Sequence, residues 1–100
     1  YIDPQGDVSC RYILFPEGSK LEIMQANNIH VRHNKITDRI VGLTHLAFDA
    51  KSKQQVDSLT ETLRKNGYQI EKPATMITDN FYESAIFDPD GNIIEINCTL

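Results

Sequence analysis

Three side chains in this sequence have the chemistry to hold a cation or move a proton: Glu22, His45 and Glu95. Glu95 stands in "DPDGNIIEI", residues 88–96, a carboxylate inside the most apolar strand-like run of the chain. Glu22 stands in "PEGSKLEI" (16–23), which matches "PDGNIIEI" (89–96) position by position: Pro, acid, Gly, two variable residues, an aliphatic residue, Glu, Ile. The copies lie 73 residues apart. Singly, a Glu in a strand usually faces solvent and a His is usually a half-buried ring with its hydrogen bonds met. Two Glu at equivalent places in a repeat are a different matter, because pseudo-symmetry relates them, and a His on the opening strand of the complete unit can face the same cavity. Carboxylates held together in a partly apolar cavity repel one another and lose solvation. A divalent cation offsets both costs, and His with carboxylates suits zinc, nickel, manganese or iron(II).

The elements that must position these residues are strands and one helix. Each copy of the repeat follows an apolar run, "RYILF" (11–15) and "SAIF" (84–87), so the unit is strand, tight turn, strand. Pro at the second turn position and an acid-Gly pair closing it are the residues such a turn takes. Strand alternation puts Glu22 on one face with Lys20 and Met24, and Leu21 with Ile23 on the other. Glu95 likewise shares a face with Ile93 and Asn97, while Ile94, Ile96 and Cys98 take the opposite, aliphatic face, expected to pack on a helix. "IVGLTHLAFDA" (40–50) has the β-branched and aromatic content of a strand, with His45 and Ala47 on one side and Leu46 and Phe48 on the other. Ser52 and Gln55 form a capping-box pattern; Val56, Leu59 and Leu63 follow at helical spacing, and Gly67 suits a C′ position. These predict a helix over 53–66. "YQIEKP" reads as a short strand stopped by Pro73, "TDN" (78–80) as a loop, and 82–98 as the closing hairpin.

The predicted order is strand, helix, strand, strand, strand. Applied to the first copy, it places the counterpart of His45 upstream of Tyr1. The expected organisation is therefore the last hairpin of an incomplete module over 1–25, a polar connector over 26–39 and a complete module over 40–100. Repeat arithmetic leads to an expectation of about 30 further residues at the N-terminus.

Composition bounds the function. The chain has 100 residues, enough for one small domain, and a net charge of −4, which argues against a broad phosphate-binding surface for nucleic acid. No apolar run approaches the roughly 20 residues of a membrane span, and the opening residues do not form a signal peptide. Cys10 and Cys98 do not make a disulfide framework and are expected as buried thiols, and the cytoplasm is the default location.

"GLTHLAF" with its His, "FYESAIFDPDGNIIEI" with its Glu, and "LFPEGSKLEIM" as an earlier echo resemble the vicinal oxygen chelate superfamily, the glyoxalase and bleomycin-resistance fold. The resemblance implies an α+β fold in which βαβββ modules form a curved mixed sheet around a cavity. It also implies metal ligands on the first and last strands of each module: Glu22, His45 and Glu95 here, with a fourth from a strand upstream. The Glu at position 22 is similar to the two-carboxylate pattern of glyoxalase I, whereas epimerases of the superfamily carry Gln and bleomycin-binding members lack the metal set. The activity implied is that of a lactoylglutathione lyase, with zinc or nickel as the metal, or else manganese, cobalt or iron. It would act on the hemithioacetal of a 2-oxoaldehyde and a thiol, with Glu95 as the base that forms an enediolate. Another metal enzyme of the superfamily, such as a dioxygenase or a thiol transferase, and a metal-free binding protein of the same fold are the alternatives. Tyr82 and Met24 are expected to line the cavity. Arg11, Arg32 and Arg39 are the cations available to an anionic thiol such as glutathione, and His30 and His33 read as solvated connector residues. A homodimer acting on a small molecule, without nucleic acid or membrane, completes the expectation.

Overall fold

The computed structural model describes residues 2, 4–30 and 41–100, so Arg32, His33, Arg39 and most of the expected connector lie outside the described residues. The chain divides into two units, Tyr1–Lys35 and Ile36–Leu100.

The first unit is a hairpin of β1 (Val8–Leu14) and β2 (Lys20–Ala26). The strands are antiparallel, with Cys10 opposite Met24, Arg11 opposite Ile23 and Tyr12 opposite Glu22. The turn between them closes as Phe15 N–H donates to the Ser19 carbonyl and Gly18 N–H to the Phe15 carbonyl, both at 3.0 Å. Gly18 has φ 99°, which only glycine adopts without strain. The aliphatic face of this hairpin was expected to be packed; instead Ile13 and Ile23 are 44% and 53% exposed.

The second unit runs β3 (His45–Asp49), α1 (Lys53–Lys65), β4 (Ile70–Thr78), β5 (Phe81–Phe87) and β6 (Ile93–Thr99), the expected βαβββ order. The four strands form one mixed sheet in the order β3-β6-β5-β4. β4, β5 and β6 pair as antiparallel neighbours, whereas β3 pairs in parallel with β6. A parallel partner needs a long crossover, and α1 lies within the segment that provides it. The β5–β6 turn repeats the first hairpin's turn atom for atom: Asp88 N–H donates to the Asn92 carbonyl at 2.8 Å and Gly91 N–H to the Asp88 carbonyl at 3.0 Å, with Gly91 at φ 84°. The Asp88 carboxylate adds bonds from the Asp90 and Asn92 backbone N–H groups, which stiffen the turn.

The helix begins as predicted, the Ser52 hydroxyl accepting from Gln55 N–H at 3.2 Å, and Gly67 follows its end at φ 90°. Its packed face differs from the expected one. Val56 is fully buried and Leu63 packs beside it, but Leu59 is 43% exposed. Thr60 takes the inward place, its hydroxyl bonded to the Val56 carbonyl and to the buried Ser84 hydroxyl, both at 2.6 Å. The core joins Val56 to Tyr82, Ile96 and Cys98, with Ala50, Leu63 and Ala74 against them. Cys10 and Cys98 are both buried and neither forms a disulfide.

Pro73 does not stop its strand, because β4 runs through it to Thr78. β4 is an edge strand with a register shift between Lys72 and Thr75, the setting in which a missing N–H costs no ladder bond. β3 begins at His45, so the preceding "VGLT" lies outside it.

The packing makes a testable distinction. Ile96, 3% exposed, is expected to cost about 2–5 kcal/mol when cut to Ala, and Leu59 about 0.5 kcal/mol or less, by urea denaturation. A Leu59→Ala variant as costly as Ile96→Ala would place Leu59, not Thr60, on the packed face.

Candidate metal and proton-transfer site

His45 and Glu95 come together through the parallel pairing of β3 and β6. His45 lies opposite Ile93 and Ala47 opposite Glu95, so all four side chains project from one face of the sheet. That face is opposite to the one carrying Ile96 and Cys98 to the core. His45 Nε2 stands 3.2 Å from Glu95 Oε2, with the two side chains 40% and 19% exposed. The other ring nitrogen, Nδ1, lies 3.0 Å from the Thr44 hydroxyl. The ring is thus fixed from both sides. A small cleft of about 180 Å³ passes beside it, lined by residues that include Leu43, His45, Asn92 and Ile94.

Glu95 has a second neighbour that was not anticipated. Antiparallel pairing of β5 and β6 sets Ala85 opposite Glu95 and Glu83 opposite Asn97, which brings Glu83 onto the same face. Glu83 is 5% exposed and forms a close ion pair with Lys72 Nζ. Burial alone would raise the Glu83 carboxyl, but the Lys72 ammonium and hydrogen bonds from Asn97 and Glu95 hold it below the usual glutamate range. Glu95 is pushed up, first by burial and then by the Glu83 charge, with the attraction of His45 opposing them. Two carboxyl groups in contact favour one proton between them. The turn could have pointed to Glu83: once Asp88 and Asn92 are paired, counting back along β5 places Glu83 and Ala85, not Tyr82, on the Glu95 face.

Tyr82 therefore does not line this face. It lies opposite Cys98, packs in the core, and its hydroxyl donates to Asp57 Oδ1 at 2.6 Å, which raises the phenol pKa. Lys53 Nζ sits 4.9 Å from the centre of its ring. Glu22 belongs to the hairpin unit, where it accepts from the Tyr12 hydroxyl at 3.1 Å. Met24 shares the Glu22 face and is 56% exposed, whereas Arg11, opposite Ile23, projects from the other face of that hairpin. Burial, then the adjacent Glu22, raises the Cys10 thiol. Exposed His30 shows no resolved role.

The donor set can be tested against a cation. Two ligand atoms about 2.0–2.2 Å from a zinc ion, at angles between octahedral and tetrahedral, stand about 3.0–3.5 Å apart. The His45–Glu95 separation of 3.2 Å falls in that interval. In the tautomer that carries its proton on Nδ1 and donates it to Thr44, the Nε2 lone pair is open to a metal, the arrangement that ligating histidines take. Among the described residues no group of three His, Cys, Asp or Glu side chains is arranged to hold a cation. No helix among these residues is long and apolar enough to cross a membrane.

The comparisons agree with this architecture. The model of the Glyoxalase/Bleomycin resistance protein/Dioxygenase superfamily matches residues 4–96. The uncharacterized protein YqjT of Bacillus subtilis (strain 168) is 41% identical over 59 residues, covering 56% of this chain and 46% of that protein. The chain thus spans about half the length of this curated relative. A glyoxylase/bleomycin resistance protein/dioxygenase domain from Frankia sp. EAN1pec superposes with a TM-score of 0.74 at 22% identity, over 94% of this chain and 71% of that one. A glyoxalase/dioxygenase from Nostoc punctiforme gives 0.75 at 24%, over 96% and 62%. At these identities the likeness to the solved structures is one of fold.

The raised Glu95 carboxyl has a consequence for stability. A carboxyl whose folded pKa lies above its unfolded value costs stability when ionised, and that cost fades as the pH falls through the folded value. In chelator-treated buffer, Glu95→Gln is expected to melt above the parent at neutral and higher pH. The gain should shrink on acidification and vanish below about pH 4, the ordinary glutamate range. A gain that is the same at every pH would show that the charge of Glu95 is not its source.

Proposed function

We propose, from the premise that the chain belongs to the glyoxalase/bleomycin resistance protein/dioxygenase superfamily, that it serves as a metal-dependent lyase or isomerase of the glyoxalase I kind. The substrate class is the hemithioacetal of a 2-oxoaldehyde with a thiol. The observation that carries the reading is the contact of His45 Nε2 with Glu95 Oε2 on the open sheet face. It unites a nitrogen donor and a carboxylate on one sheet face.

His45 and Glu95 would hold a divalent cation such as zinc or nickel. The bound cation would supply Lewis-acid polarisation of the substrate oxygens. His45 presents Nε2 while Thr44 fixes the ring through Nδ1. Glu95 would take the proton from the carbon that carries the sulfur and the hydroxyl and return it to the adjacent carbonyl carbon, while the hydroxyl proton passes to the former carbonyl oxygen, giving a 2-hydroxy thioester. The isomerisation needs no oxidant, because the proton and the electron pair both remain within the substrate skeleton. Burial and then the Glu83 charge raise the Glu95 carboxyl in the metal-free protein, and a positioned carboxylate of this kind can act as a general base.

The test is turnover of methylglyoxal with glutathione by protein loaded with zinc or nickel, followed through the thioester product. Chelation is expected to abolish it, and Glu95→Gln to lower kcat by about 10²–10⁴-fold. No turnover with either metal, or turnover indifferent to both chelator and Glu95→Gln, would reject the reading.

A further inference from the structure

The two copies of the hairpin hold their Glu differently. In the first, the residue directly opposite Glu22 is Tyr12, and its hydroxyl donates to the carboxylate. In the second, the residue directly opposite Glu95 is Ala85, which has no polar atom to offer. Support comes instead from the diagonal neighbour, Glu83, at the position that Cys10 occupies in the first copy. A carboxylate beside a carboxylate is an unusual support, and it comes with its own counter-charge, Lys72 on the edge strand β4. Glu83 is the one charged residue among the buried described residues, at 5% exposure, while the Lys72 side chain keeps 32% exposure. Asn97, across from Glu83, adds a side-chain hydrogen bond to it.

Such a pair is a poor investment for stability alone. Apolar residues of like volume in place of a buried ion pair are commonly neutral or stabilising. Its placement points to another purpose: Lys72 pairs with Glu83, Glu83 is the diagonal neighbour of Glu95 on the same sheet face, and Glu95 faces His45 at 3.2 Å.

We infer that Lys72 and Glu83 are positioning residues for the metal centre, an ammonium–carboxylate pair on β4 and β5 that holds the Glu95 carboxyl toward His45 and so sets the affinity for a divalent cation. This rests on the metal-dependent reading above. Outer groups of this kind commonly govern metal affinity by about 10–100-fold.

The experiment uses the intact protein and compares it with Lys72→Met/Glu83→Leu, which removes one charge of each sign and leaves the net charge of the site unchanged. Glu83→Gln, nearly the same shape, is the second variant, and Lys72→Arg the conservative one. Zinc and nickel dissociation constants are measured by calorimetry in competition with a chelator, and melting temperatures are measured metal-free. The double variant is expected to bind zinc about 10–100-fold more weakly with a melting temperature equal to or above the parent's, Glu83→Gln to weaken binding in the same direction, and Lys72→Arg to stay near the parent. Unchanged zinc affinity in both the double variant and Glu83→Gln overturns the inference while leaving the metal-dependent reading intact. A parent that binds neither zinc nor nickel overturns that reading, and the inference with it.

Discussion

The parallel pairing of β3 with β6 is the constraint on which the site depends. Every other strand pair in the second unit is an antiparallel pair of sequence neighbours, which the chain reaches through a short connection. The β3–β6 pair instead joins the two ends of the module, residues 45–49 with 93–97, and it alone sets His45 beside Glu95. The helix makes this affordable, since its Val56–Thr60–Leu63 face covers the opposite side of the same sheet. One sheet face is thereby committed to packing and the other carries His45, Glu83 and Glu95.

The repeated hairpin shows how one backbone device can carry different electrostatics. The turns agree hydrogen bond for hydrogen bond, and in both the Glu stands three residues after the turn's last paired position. The neighbours differ. A phenol supports Glu22, whereas a buried carboxylate backed by an ammonium supports Glu95. The Glu83 charge drives Glu95 toward holding a proton.

Much of the fold was legible because it rests on local signals. Ser52 and Gly67 bracketed the helix, the two Pro-acid-Gly turns marked the hairpins, and alternation placed His45 and Glu95 on their face. The failures have physical causes. Pro73 looked like a stop, but the strand it interrupts lies at the sheet edge, a position no local pattern reveals. Leu59 outranked Thr60 on hydrophobicity, yet Thr60 satisfies its hydroxyl against Ser84 and so can be packed. Tyr82 was assigned to the Glu face without using the turn register, which puts it opposite Cys98. Glu83 went unnoticed because nothing in a single strand distinguishes a buried, paired carboxylate from a solvated one; its partner Lys72 lies on another strand.

The most direct measurement is a long-range proton–nitrogen NMR spectrum of the His45 ring, taken metal-free and on addition of zinc, in the parent and in Glu95→Gln. The account predicts that the Nε2 signal responds to the Glu95 substitution in the metal-free protein. On addition of zinc the Nε2 signal is expected to move to a metal-bound shift, with the ring proton on Nδ1 beside Thr44. A ring whose nitrogens ignore both the substitution and the metal would contradict it.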